Sequence, residues 1–278
     1  MDALTPKHPD KDAALCRRYG AAIPPAGPWN ATIASLLEHR SVRGYKSDPV
    51  PAGTLETLIA AAQSAATSSN MQWCSAIAVT EPAKKKVLAE IAGSQKHIEE
   101  CPLFIAWVAD MARNQDISDE QKVEFACMPW LETFMVACID VALAAQNAVV
   151  AAESLGLATV YIGAMRNDPV RVAELLRLPR QSFVVFGLCV GYAMDKAAGE
   201  VKPRLPQGVM LHREQYDAAP SAALRPAYDA EMSKFSQRHE LQAATWTQRV
   251  LNRLGPLKSM NGRERMRVAL ASLGIEIR

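Results

Sequence analysis

Residues 130–157 read WLETFMVACIDVALAAQNAVVAAESLGL, and this stretch decides the architecture. Phe134, Met135, Ala137, Ile139, Val141, Ala142, Leu143, Ala145, Ala148, Val149 and Val150 leave no polar face at helical spacing. A surface helix carries such a face, so this one is expected to cross the centre of the fold or an oligomer interface. Its many alanines permit close approach of neighbouring helices. The run is about as long as a short membrane span. Asp140, Gln146 and Asn147 interrupt it, and the cheaper reading is a buried helix of a soluble core. Gly156 closes the helix, and Thr159-Val160-Tyr161-Ile162-Gly163 reads as the strand that follows.

Upstream, Leu103 to Ala109 is a near-continuous apolar run of strand length, the pattern of a strand buried on both faces. Ser75 to Thr80 alternates like a strand. Between them, Lys84 to Ala92 reads as a helix stopped by Gly93, and Gly93-Ser94-Gln95-Lys96-His97 as a polar turn. Asp116 to Glu124 is polar and reads as exposed. Downstream, Asp168 and Pro169 supply an N-cap and a first helical residue, with Val172, Leu175 and Leu176 facing inward. Phe183 to Tyr192 is another strand, interrupted only by Gly187. Beyond it the strands stop, and Ala227 to Leu254 reads as helix broken around Arg238-His239. No Gly-x-Gly-x-x-Gly, Walker or Gly-x-Ser-x-Gly motif occurs, so the Rossmann, P-loop and nucleophile-elbow readings lose their fingerprints.

The 278 residues are 49% hydrophobic and 22% charged, with a net charge of +2. That is an ordinary soluble composition with ample core and no global attraction to nucleic acid or membrane. Residues 238–278 hold eight basic and three acidic residues, a net of +5, which makes only a modest basic face. Residues 1–28 read as an arm that lies extended on the body or stays mobile, ahead of a domain over 29–278 whose helical, basic extension begins near 225. The arm has no apolar region after a basic start, so it does not read as a signal peptide. Cys16, Cys74, Cys101, Cys127, Cys138 and Cys189 form no C-x-x-C pair, which leaves zinc and dithiol chemistry without their spacing and points to no metal. Scattered thiols in apolar surroundings favour a reducing compartment, with the cytoplasm as default.

Candidate binding residues cluster in three places. Asn30 is a plausible N-cap for a helix whose apolar face is Ile33, Leu36 and Leu37, and which ends near His39. His39, Arg40, Ser41 and Arg43 then stand at a helix exit, where arginine forks and a hydroxyl suit phosphate oxygens. A second helix, starting at Pro51 with Leu55, Leu58, Ile59 and Ala62 inward, runs out in a loop of small polar residues, Thr67-Ser68-Ser69-Asn70. Finally, Lys202 and Arg204 alternate with Pro203 and Pro206. In extended chain they point the same way and can grip one anion together.

Taken in order, these segments resemble the FMN-dependent nitroreductase superfamily, most closely its NfsA/FRP branch of NADPH nitroreductases and flavin reductases. The segments that carry the resemblance are His39-Arg40-Ser41-Val42-Arg43, Ser68-Ser69, Gly93 to His97, Ala145-Gln146-Asn147-Ala148, Ala152 to Gly156, Tyr161 to Asn167, Phe186 to Gly191 and Lys202 to Pro206. The resemblance implies an α+β homodimer, with a central, mainly antiparallel sheet packed by helices and two FMN sites at the subunit interface. His39, Arg40 and Ser41, with Lys202 and Arg204, would hold the phosphate and ribityl end. Arg43 would lie at the pyrimidine edge, where a cation stabilises the charge that reduction adds. Thr67, Ser68, Ser69 and Gln95 would bond the polar rim, and Tyr161, Ile162, Gly163 and Ala164 would pack along the ring. NADPH or NADH would be the donor, and nitroaromatics and quinones the small aromatic acceptors. A flavin reductase or reductive dehalogenase on the same fold stays open, and more remotely a non-catalytic flavin-binding protein. Two departures stand out. Ala164 replaces the second glycine after Tyr-Ile. Arg238 matches the first arginine of the branch's 2′-phosphate clamp, but His239 to Ala244 lacks the second, which implies a weakened preference for NADPH. Arg43 would assist Arg238 there.

Overall fold

The computed structural model describes residues 11–197 and 199–278. Three helices, α1 (Lys11–Tyr19), α2 (Ala31–Glu38) and α3 (Thr54–Gln63), precede strand β1 (Cys74–Val79). Helices α4 (Pro82–Ile91) and α5 (Lys96–Glu100) lead into β2 (Leu103–Asp110), and α6 (Ala112–Gln121) and α7 (Leu131–Ser154) into β3 (Ala158–Ile162). After α8 (Pro169–Leu176) and β4 (Ser182–Gly191) come α9 (Gln207–Met210), α10 (Ala219–Arg238), α11 (Trp246–Leu254) and α12 (Met266–Ser272). The chain divides into two compact units. A helical unit takes the described part of Met1–Arg40 with Glu200–Ser259, and a sheet unit takes Ser41–Gly199 with Met260–Arg278.

In the sheet unit the strands run in the order β1-β2-β4-β3, each neighbour antiparallel, which makes the fold α+β. The apolar run of β2 is central, and its side chains alternate between two cores as the pleat requires. Leu103, Ile105, Trp107 and Ala109 join α3, α7, Leu270 and Ile275 on one face. Phe104, Ala106 and Val108 join residues of α4, α5 and α8 and Tyr45 on the other. Gly187 is the break in β4, and Phe104 explains it. A methyl group at Gly187 would stand 2.1 Å from the Phe104 ring.

Helix α7 buries Ala137, Val141, Ala144, Ala145, Ala148, Val149 and Ala152 against this sheet and α3. Its small buried residues allow the close packing read from the sequence. The opposite side stays apolar: Leu131, Met135, Ile139 and Leu143, four residues apart, are between 44% and 51% exposed. Among the described residues α7 is the one helix long and apolar enough to cross a membrane by length and composition.

The helical unit contains no strand among its described residues. Its core is Tyr228, Met232 and Phe235 of α10, packed by Leu205 and Trp246. The break expected near Arg238-His239 separates α10 from α11, although α10 starts earlier than the sequence suggests and carries Pro226 inside. The arm departs from expectation: Lys11–Tyr19 is a helix with Ala14, Leu15 and Arg18 buried, and its Arg17 forms an ion pair with Glu38 of α2. One further expectation needs correction. The second helix begins at Thr54, after Pro51, because Gly53 takes the left-handed conformation that opens it. The polar segment Asp116 to Glu124 is exposed as expected apart from Ser118, and its first part belongs to α6.

Gly187→Ala should therefore lower the unfolding free energy by about 1–3 kcal/mol through overpacking. The measurement is the urea midpoint, which should fall with an unchanged slope and recover in part when Phe104→Leu is added.

Candidate functional site

In the helical unit, Asn30 caps α2 as its sequence predicts, accepting from the Ile33 N–H at 2.9 Å. The helix stops at His39, whose ψ of 132° is extended. The face expected to be apolar is only half covered: Ala34 is buried, and Leu36 is exposed. His39 and Arg40 follow at the carbonyl end of the helix. Arg40 Nε is buried and has no hydrogen-bond partner among the described residues. Arg18, which the sequence reading missed, donates to the carbonyls of Leu37 at 2.6 Å, His39 at 2.8 Å and Lys202 at 2.9 Å. The Arg204 N–H bonds back to the Arg18 carbonyl at 2.8 Å.

Residues 201–206 alternate as extended chain, with Val201 and Pro203 buried and Lys202 and Arg204 turned outward. Tyr228 fixes the segment through a 3.1 Å hydrogen bond to the Pro203 carbonyl. Lys202 Nζ stands 5.8 Å over the Phe235 ring, and the Arg238 guanidinium stands 6.0 Å over the same ring. Arg238 is engaged by a residue the sequence reading did not single out. Its Nη2 donates to Glu200 Oε2 at 2.8 Å, and its Nε to the same oxygen at 3.1 Å. That bonding holds the Glu200 carboxyl below its ordinary range.

In the sheet unit, Val42 N–H bonds to the Thr159 carbonyl at 3.0 Å, so Ser41–Arg43 runs beside β3. Val42 is buried, and Ser41 and Arg43 face outward. At the end of β3, Tyr161 packs edge-on against Phe186 and donates to Gln146 Oε1 of α7 at 3.4 Å. Burial raises its hydroxyl pKa, so it stays protonated. Ile162 and Ala164 belong to the core on the other face of the sheet. The extra methyl of Ala164 is therefore spent on packing. The Thr67 hydroxyl donates to Asp140 of α7, and the Ser68 N–H donates to the other oxygen of that carboxylate at 3.1 Å. The thread from Thr67 to Asp140 adds a contact that the sequence reading did not single out. The hydroxyl expected on a ligand also accepts from Gln72 N–H and serves the loop itself. Ser69 takes a φ of 49°, a left-handed turn that leaves its side chain exposed. Gln95 caps α4, its Nε2 donating to the Ala92 carbonyl at 2.9 Å.

Asp140 and Gln146 separate these groups. Six residues along α7 amount to ~9 Å and roughly 120° of rotation. Within one chain, then, the Thr67–Ser69 loop and the Tyr161 patch lie on different sides of the helix.

The Nitroreductase family model matches residues 36–192, and that of the Nitroreductase family C-terminal domain matches 202–278. The chain belongs to the nitroreductase family. The NADPH-flavin oxidoreductase of Vibrio harveyi is 35% identical over 227 residues, covering 81% of this chain and 91% of that protein. The oxygen-insensitive NADPH nitroreductase of Salmonella typhimurium is 35% identical over 221 residues, covering 79% and 89%. The solved structure of B. megaterium NfrA2 superposes with a TM-score of 0.84 at 36% identity, covering 90% of this chain and all of that one.

His97, in α5, has a buried Nε2 without a hydrogen-bond partner among the described residues. Burial, and then the Arg43 charge, push its pKa below the ordinary 6.5. The unfolded chain therefore takes up a proton near 6.5 that the folded one refuses. Stability should fall as pH drops from that value toward the folded pKa, and His97→Gln should flatten this part of a plot of Tm against pH.

Proposed function

We propose that the protein is an FMN-dependent NAD(P)H oxidoreductase that reduces nitroaromatics and quinones by two-electron, ping-pong hydride transfer. The observation that carries the cofactor is Arg40. A buried guanidinium N–H without an acceptor is costly, and an anionic oxygen would satisfy it. His39, Lys202 and Arg204 belong to the same unit and add the charge that a phosphate dianion needs. The residues thus fit FMN's phosphate end. Bound FMN would supply the hydride-transfer chemistry, so the protein needs no nucleophile of its own.

The remaining residues bind and orient. Ser41 and Arg43 are assigned to the ribityl chain and the pyrimidine edge, where the arginine's charge favours the reduced state. Ser68 and Ser69 are assigned to the ring's polar rim, with Thr67 shaping their loop, and the oxygen of Gln95 completes that rim. Tyr161, Ile162, Gly163 and Ala164 offer mainly backbone to the ring. A homodimer is part of this reading. Its support is the exposed apolar stripe of α7 and the separation of the two ring-binding groups around that helix. A second copy would cover the first and complete the second. The free cysteines agree with a cytoplasmic location. Neither nucleic acid nor membrane enters this reading.

The test is anaerobic. The purified protein should carry visible flavin absorbance, lose it on mixing with NADPH or NADH, and regain it with nitrofurazone or a quinone. Protein that binds no flavin would overturn the assignment.

For the donor, Arg238 is assigned to the 2′-phosphate of NADPH, with Arg43 assisting. Glu200 already holds Arg238, so an incoming phosphate has to displace a carboxylate. NADPH should be preferred over NADH, and Arg238→Ala should erase most of that preference with NADH turnover nearly intact. Glu200→Gln frees the arginine from an exposed, weak ion pair and should raise the NADPH to NADH ratio of kcat/KM up to about fivefold.

A further inference from the structure

We propose that Arg18 of α1 is a positioning residue for the phosphate end of the flavin, a role that rests on the FMN reading above. Arg18 lies in the arm, outside residues 36–192 and 202–278 that the family models match. Its side chain is one of the few buried cations, at 6% exposure. The planar guanidinium spans two segments far apart in sequence, holding Leu37 and His39 on one side and Lys202 on the other. Its own carbonyl receives the Arg204 N–H. Every residue assigned to the phosphate within this unit is therefore either bonded to Arg18 or next to a residue that is.

The electrostatic argument agrees with the geometric one. A helix ends with its carbonyl dipoles exposed and about half a negative charge at that terminus. His39 and Arg40 stand at such an end of α2, an unfavourable place for a dianion. Arg18 binds the Leu37 and His39 carbonyls and sets a full positive charge against them. It both turns the carbonyl oxygens away from an anion and fixes the backbone from which His39, Arg40, Lys202 and Arg204 reach out. Lysine would restore the charge, but its single ammonium cannot reproduce the fork.

The test compares FMN with riboflavin, which has the same ring and ribityl chain but no phosphate. Each is titrated into flavin-free protein by fluorescence quenching, beside a thermal melt. Arg18→Ala should weaken FMN binding by ~10- to 100-fold and leave riboflavin within about twofold of the parent chain. Arg18→Lys should recover part of the loss, and Arg18→Gln serves if the alanine variant does not fold. Unchanged FMN affinity, or an equal loss of both ligands, would overturn the positioning role. A parent chain that binds FMN no more tightly than riboflavin would instead overturn the phosphate assignment itself.

Discussion

A helix with no polar side has to be covered all round, and the sheet unit covers one side of it, leaving the stripe of Leu131, Met135, Ile139 and Leu143 exposed. Helix α7 lies on one face of the sheet with its alanines toward β2 and α3. The single carboxylate on its buried side, Asp140, needs hydrogen-bond donors there. It takes them from Thr67 and Ser68. The Thr67–Ser69 loop is thus shaped by the needs of the core, and its exposed hydroxyls inherit that shape. A buried polar group of this kind specifies geometry as much as it stabilises.

The helical unit solves a different problem, how to gather positive charge without losing it to nearby acids. Its cations are treated unequally. Lys202 sits over an aromatic face, which steadies an ammonium. Arg238 is matched by Glu200. Arg40 keeps a buried N–H unanswered. Such a gradient suits a tightly held phosphate at one place and an exchangeable one at another.

Much of this was legible in the sequence. Periodicity exposed α7, the buried strand β2 and the capped helices α2 and α8, since each is decided by side chains within a few residues. The ordered motifs picked out the family as well. What stayed hidden depends on long-range pairing. Helix α1 escaped notice because one of its three buried positions is an arginine, which reads as surface until its carbonyl partners are known. Helix α6 has no apolar stripe to announce it. The bond from Thr67 to Asp140 was hidden because nothing local pairs residues so distant in sequence. Glu200 was unremarkable for the same reason.

The order of the chain sets a schedule for its synthesis. Arg18 meets Lys202 across 184 residues. At a ribosomal rate of about 5–20 residues per second, the arginine waits roughly 10–40 s for its partner. The sheet waits longer still, since Leu270 and Ile275 complete the core on the α7 face. During that interval the nascent chain carries an apolar surface with nothing yet made to close it. The helical unit needs residues 200–259, translated after most of the sheet unit, and the sheet unit needs residues 260–278, translated after the helical one, so holdase chaperones have a defined period in which to act.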